Sequence, residues 1–256
     1  MDHALHPPAP LAARHVRAVA PPCTLRWLRR GAADFARLPG FSLGYGTLVA
    51  GFGVAMLALA WGATYLVPAF VGGFLLVAPF FAIVPCAAAQ QLETGERVST
   101  ARAVFAWRRN GASFALFGLM LALALILWER VAAIVFALTY GGTVPDLHRL
   151  VDDLLLSPHY LALRVAFFAC GAAFAALVFA LSVVTAPMLL DRPVDVFTAA
   201  ATSWRCCARN PGTMLLWALI VAVLTALAMA TAMLALVVVF PWLGYASWHA
   251  YRDLVD

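Results

Sequence analysis

Lysine does not occur in this chain: all 17 basic residues are arginine. Charge of any kind is scarce, at 11% of residues, where a soluble domain carries about 25%. No Walker loop, G-x-S-x-G elbow, H-E-x-x-H pair or nucleotide-binding glycine fingerprint is present. The cysteines Cys23, Cys86, Cys170 and Cys206-Cys207 form no C-x-x-C, so neither a disulfide framework nor a metal knuckle is indicated. His249 is the only histidine within an apolar block, and a haem held between helices usually takes two axial side chains. No catalytic, cofactor-binding or metal-ligating set is therefore assigned, no cofactor is expected, and nothing reads as a nucleic-acid partner. Cys206-Cys207 lies on an amphipathic stretch where reversible acylation is chemically open, and small packed filler is the simpler reading.

What the chain has is apolar length. Hydrophobic residues make up 64% of it and the mean hydropathy is +0.91, which fits only a membrane protein. Crossing the hydrocarbon core takes roughly 20 apolar residues. Apolar blocks run over 43–62, 66–89, 112–138, 161–190 and 213–248. As one helix, the last would be about 54 Å long, beyond even the ~40–45 Å of a bilayer with its headgroups. It is expected to fold back near Ala230 to Met233, although no glycine or proline marks a turn there. Five blocks thus give six helices.

Arginine sets the orientation. Arg14, Arg17, Arg26, Arg29, Arg30 and Arg37 precede the first helix, and Arg97, Arg102, Arg108 and Arg109 separate the second from the third. Arg192, Arg205 and Arg209 separate the fourth from the fifth, and Arg252 follows the sixth. These share one side in a six-helix chain, leaving Arg130, Arg149 and Arg164 near the other. The positive-inside rule then puts both termini in the cytoplasm.

The pattern repeats. Arg37-Leu38-Pro39-Gly40, Arg109-Asn110-Gly111 and Arg209-Asn210-Pro211-Gly212 each end an arginine-bearing stretch and open an apolar run. A second run carrying Pro79, Pro187 or Pro241 follows each time. Repetition of this kind signals like units, placed at about 26–96, 97–192 and 193–256 within one transmembrane domain, 26–256. The fold expected is all-α: a polytopic bundle of six helices as three hairpins, each preceded by a cytoplasmic amphipathic helix. In the first such helix Trp27, Leu28, Gly31, Phe35 and Leu38 form one face; in the third, Phe197, Ala200, Ala201, Trp204 and Ala208 do. These helices either cap the bundle or lie at the lipid boundary with arginines towards headgroups. Residues 1–25, rich in proline without apolar periodicity, read as a disordered tail and lack the apolar core of a secretory signal. The loop 140–160, with Asp146, His148, Arg149, Asp152 and Asp153, reads as a solvated surface helix.

Few polar groups fall at membrane depth. Glu129 and Arg130 lie ~24 Å along the third helix, towards the outer interface, with Trp128 beside them as an interfacial anchor. Charges so placed are candidates for function, here weighed as anchors before transport residues. Gly46, Ala50 and Gly53, and again Gly171 and Ala175, give small-residue faces for close helix packing. Near the midplane the chain offers mostly Ser182, Thr185, Thr225 and Thr231.

A resemblance rests on Trp27-Leu-Arg-Arg-Gly31-Ala-Ala-Asp34, Ser42-Leu43-Gly-Tyr45-Gly46 and Gly73-Phe-Leu-Leu-Val-Ala-Pro79. It continues through Ala186-Pro187-Met188-Leu-Leu-Asp191-Arg192-Pro193-Val194-Asp195, Asn210-Pro211, and Pro241 to Asp253 with His249 and Arg252. Over about residues 26–255 the chain resembles a family of uncharacterised bacterial integral membrane proteins. That family is a domain of unknown function, some of whose members carry an automatic cytochrome c oxidase subunit I label. The chain departs from the expected tyrosine and acidic pattern at Cys86-Ala-Ala-Ala-Gln-Gln91. An oxidase subunit I needs about twelve helices and six metal-binding histidines, twice the helices and several times the ligands available here. The expectation is a non-catalytic accessory or assembly factor of a membrane complex in the bacterial inner membrane, with lipids and other membrane subunits as partners; the alternative is a small-solute permease or channel. Candidate functional or interfacial residues are Glu129, Arg130, His249, Asp191 and Arg252.

Overall fold

The computed structural model describes residues 16–60, 74, 78–139 and 161–256. Ordered elements among them are helices, apart from one bridge between Val16 and Val255. In chain order they are α1 (Cys23–Arg37), α2 (Pro39–Ala60), α3 (Ile83–Glu93), α4 (Thr100–Val104), a 3-10 turn over Ala106–Asn110, α5 (Gly111–Thr139), α6 (Leu161–Ser182), α7 (Thr185–Asp191), α8 (Val196–Arg209), α9 (Pro211–Ala230) and α10 (Leu236–Leu254). Among the described residues, four stretches are long and apolar enough to cross a membrane: Pro39–Leu59, Ala106–Val135, Arg164–Asp191 and Pro211–Ala230.

Local chemistry fixes the boundaries. Leu38 breaks from helical geometry and Pro39 opens α2, where its missing N–H costs nothing. The same logic puts Pro211 at the start of α9, just past Asn210. Ser99 caps α4 by accepting from the Arg102 amide, and Asp195 caps α8 by accepting from the Thr198 amide at 2.9 Å. Two hydrogen bonds hold the Asp195 carboxyl below its usual range, the Thr198 hydroxyl first and its amide second.

The last apolar block does fold back, over Thr231–Ala235. Ala232 and Met233 take φ of 51° and 70°, a left-handed conformation that costs of order 1–2 kcal/mol for such residues. Thr231 offsets this by donating its hydroxyl to the Ala228 carbonyl (2.7 Å) and accepting from the Ala235 amide (2.9 Å). Met233 then buries its side chain against Gly53.

Packing partners reveal direction. Tyr45 donates to the Phe81 carbonyl while Phe52 stacks on Phe74, so α2 and the segment leading into α3 run antiparallel. Trp128 packs on Gly171 while Asn110 and Ser113 donate to the Val194 carbonyl, so α5 and the α6–α7 pair do likewise. Asn210 and Thr213 at the start of α9 bond residues 17–19, and Leu254 at the end of α10 accepts from Arg17. The two ends therefore meet, and α9 and α10 are antiparallel too.

Helix α10 is the axis of the molecule, packed by α1, α2, α3, α7 and α9. Ser42 meets Tyr245, Gly46 meets Val237 and Gly53 meets Met233, so α2 descends along it step by step. At Gly46 and Gly244 a side chain would collide with the Val237 backbone and the Pro85 ring respectively. The small face read on α2 thus serves α10, as Gly171 serves Trp128. By contrast α5 and α9 turn Leu119, Leu123, Ile126, Leu215, Leu219 and Val223 outward, a surface suited to lipid and too apolar for water.

The third amphipathic helix and the N-terminal segment complete the bundle. The third amphipathic helix, α8, buries Val196, Ala199, Ala200, Thr202, Ser203 and Cys206, while Phe197 is 77% exposed and Trp204 is 50% exposed. Its small side chains fit closely against α6 and α7, and its bulky stripe is left for the surroundings. The tail expected to lack structure to residue 25 is placed from Val16 onward: Arg17 donates its amide to Leu254 and pairs with Asp256, and α1 begins at Cys23. Backbone pairing supplies there what apolar periodicity does not show. Residues 1–15 and the loop 140–160 lie outside the described residues.

Candidate functional site: a polar seal on an apolar cavity

The C-terminal half of α10 gathers a cluster of paired polar side chains. Trp242 Nε1 donates to the Leu28 carbonyl (2.8 Å) and Tyr245 shares a 2.8 Å bond with Ser42. His249 Nε2 lies 2.7 Å from Asp34 Oδ2, both side chains largely buried. Asp253 accepts from Trp27 Nε1 at 2.9 Å and from Arg26 and Arg30 at 3.3 Å. Glu93 at the end of α3 accepts from Trp248 Nε1 (2.8 Å) and Arg252 Nε (3.1 Å). A buried charge is tolerable when paired and hydrogen-bonded, and every buried side-chain polar atom among the described residues has such a partner.

At the centre of this polar end, α3, α7 and α10 meet through three side chains. Asp191 accepts from Gln90 Nε2 at 3.1 Å on one oxygen and from the Tyr251 hydroxyl at 2.7 Å on the other, with Arg192 Nε at 3.2 Å. Tyr251 has no solvent exposure. Burial first, and then the bond to Asp191, push its hydroxyl well above the usual tyrosine range. The phenol therefore stays a donor at all ordinary pH.

One turn before each member of this trio stands a residue of a different kind: Cys86, Pro187 and Ser247. They line a cavity of about 400 Å³, inside the ~300–1,000 Å³ range of small-molecule sites. Its walls come from one face each of α5 (Leu125, Trp128), α6 (Phe174, Val178, Phe179) and α9 (Trp217, Val221, Thr225). Polar atoms there are few: Ser247 Oγ donates to the Leu243 carbonyl and Cys86 Sγ to the Gly244 carbonyl, and the hydroxyls of Ser182 and Thr225 complete the polar part of the lining.

A second depression, of about 460 Å³, lies beside Gln90, Gln91, Thr94, Glu96, Arg102 and Arg109. Its groups mostly serve structure: Gln91 accepts from the Ser99 amide and Arg102 pairs with Glu96.

Of the residues singled out from sequence, His249, Asp191 and Arg252 come together at the polar end, each bonded to a different element. Glu129 and Arg130 do not: they are exposed near the far end of α5, without a hydrogen bond or ion pair among the described residues. Cys206 is fully buried, and burial raises its thiol from 9.0 to about 12, which argues for packing over acylation. Sequence reasoning missed Asp34, Glu93, Tyr251 and Asp253. Asp34 was visible in principle, since it falls on the Trp27/Gly31 face of α1, where a carboxylate needs a partner.

No curated protein and no solved structure matches the chain. Residues 66–191 match the family model described as "Predicted integral membrane protein (DUF2189)". The matched stretch carries Gln90 and Asp191 of the polar trio and the cavity walls from Pro79 to Pro187. Over that stretch, just under half of its length, the chain is similar to a family of predicted integral membrane proteins of unknown function.

Proposed function

We propose that this protein is a six-span bundle of three helical hairpins, each led by an amphipathic helix, with both termini in the cytoplasm of a bacterium and its repeat units at about 26–96, 97–192 and 193–256. Its role is that of a non-catalytic accessory or assembly factor for a larger membrane complex. The three antiparallel pairs support the architecture. So does the meeting of residues 16–19 with 254–256, because an even number of crossings returns the chain to its starting side. With arginines concentrated at that end, it is the cytoplasmic one.

A single observation carries the functional reading. At one end the polar side chains pair with one another, and the interior behind them is mostly apolar. A permease for polar solutes needs polar groups along its path, whereas a packing partner needs apolar outer faces such as those of α5 and α9. Lipids and neighbouring subunits are the partners this implies. The cavity is what favours the alternative, a small-solute permease or channel, and then only for an apolar solute.

Purification from native membranes in mild detergent, with identification of co-purifying chains, tests the proposal. A defined set of membrane subunits in fixed ratio is the expected result. A lone protein that moves a solute across reconstituted vesicles would replace it with the permease.

A further inference from the structure

We infer that the cavity walled by α5, α6, α9 and α10 is a binding site for one hydrocarbon chain of a bilayer lipid. The inference requires only that the bundle sits in a membrane, and it stands apart from any accessory role. The first argument is closure. Cys86, Pro187 and Ser247 mark the polar end of the cavity, and one turn further on Gln90, Asp191 and Tyr251 are bonded to one another at 2.7 and 3.1 Å. Water-borne molecules on that side meet a seal.

The second argument is the opening. Helices α6 and α9 both contribute a wall, yet α6 packs on α5, α7 and α8, and α9 packs on α10, α1 and α8. The space between them is cavity. Side chains near the seal, such as Trp217 and Leu243, are buried, at 1% and 8% exposure, whereas Ala175 on the wall is exposed. The shape is a well that is deep at the polar end and open sideways, towards the region that acyl chains fill.

The third argument is chemistry. An apolar cavity stays dry even at about 150 Å³ and takes up apolar guests, and this one is larger, with a lining that is apolar apart from Cys86, Ser182, Thr225 and Ser247. Aromatic walls at Trp128, Phe174 and Phe179 offer contact without any hydrogen-bond demand. Of the apolar molecules available to a membrane protein, lipid chains are present at the highest concentration.

The test uses the full chain reconstituted in phosphatidylcholine vesicles that contain a phospholipid with a photoactivatable group near the end of one acyl chain. After illumination, adducts are mapped by mass spectrometry. Adducts on Trp217 and Leu243 are expected, because lipid on the outer belt does not reach side chains that are buried. Ala175→Trp narrows the opening, and Val178→Trp fills the well from another turn. Each should lower labelling at Trp217 and Leu243 by at least about tenfold, equivalent to ~1.4 kcal/mol. Ala176→Trp, on the adjacent outward face of α6, should leave it unchanged, and thermal stability reports whether each variant is folded. Adducts confined to outward residues such as Leu123 and Leu219 would overturn the inference. So would equal labelling of the buried pair in the folded Ala175→Trp, Val178→Trp and Ala176→Trp proteins.

Discussion

Replacing Tyr251 by phenylalanine removes one hydroxyl and almost no volume, so its effect isolates the bond to Asp191. That bond is short, at 2.7 Å, and its donor is fully buried. Hydrogen bonds to charged groups contribute about 1.5–3 kcal/mol. The carboxylate keeps Gln90 and Arg192, so the loss should sit within that range and not above it. For a chain of this size 1 kcal/mol moves the melting temperature by about 2–4 °C, which predicts a drop of roughly 3–12 °C in detergent. Asp191→Ala should cost at least as much, since it strands both the phenol and the Gln90 amide. In the Asp191→Ala background, Tyr251→Phe should then cost little or nothing, because an unpaired buried hydroxyl has no advantage over a ring hydrogen. A Tyr251→Phe protein that melts with wild type, or additive losses in the double variant, would refute the trio as the element joining α3, α7 and α10.

Gly46→Ala should destabilise by about 1–3 kcal/mol through overpacking, since a side chain there collides with the Val237 backbone, whereas Gly44→Ala and Gly51→Ala, facing open space, should be neutral or stabilising by up to ~1 kcal/mol; melting of the three variants separates the cases. Glu129→Gln and Arg130→Gln should each shift stability by less than about 1 kcal/mol and add in the double variant, because neither has a partner among the described residues; a large loss in each single that the double recovers would show a buried pair instead. Burial holds the Cys206 thiol at about 12 and the Cys207 thiol at about 11, so both should alkylate far more slowly at neutral pH in the folded than in the denatured protein. Because these thiols lose their protons at lower pH when unfolded, the stability they contribute is complete below about pH 8.5 and falls as pH rises beyond it, which denaturation at pH 7.5 and 10 checks.

Much of the fold was legible because membrane crossing imposes length. Apolar runs of about 20 residues and helix-opening prolines mark α2, α5, α6 and α9 directly. The turn at Thr231–Ala235 was inferred from excess length and from the repeat that sets Pro241 where Pro79 stands in the first unit, and local signals could not reveal it: the left-handed residues are alanine and methionine, stabilised by one threonine hydroxyl. The stripe of Phe197 and Trp204 read on α8 is the exposed one, and the small residues beside it are buried. In lipid the outside is as apolar as the inside, so Phe197 gains nothing by turning inward, while Ala199, Ser203 and Cys206 gain close packing. Of the site, His249, Asp191 and Arg252 were named, yet their partners Asp34, Tyr251 and Glu93 were not. Those pairings join residues between 60 and 215 positions apart, and only the path of α10 through the bundle brings them together. The cavity was beyond sequence reasoning, since it is a space left between the faces of six helices.

The proposed six-span topology requires α10 to cross the bilayer antiparallel to α9. Topology reporters inserted within Thr231–Ala235 and fused at Gly95 and Asp256 measure this in one experiment. The turn should report the outer side, while Gly95 and Asp256 should both report the cytoplasm. A turn reporter active in the cytoplasm, or an Asp256 reporter active only outside, would contradict it.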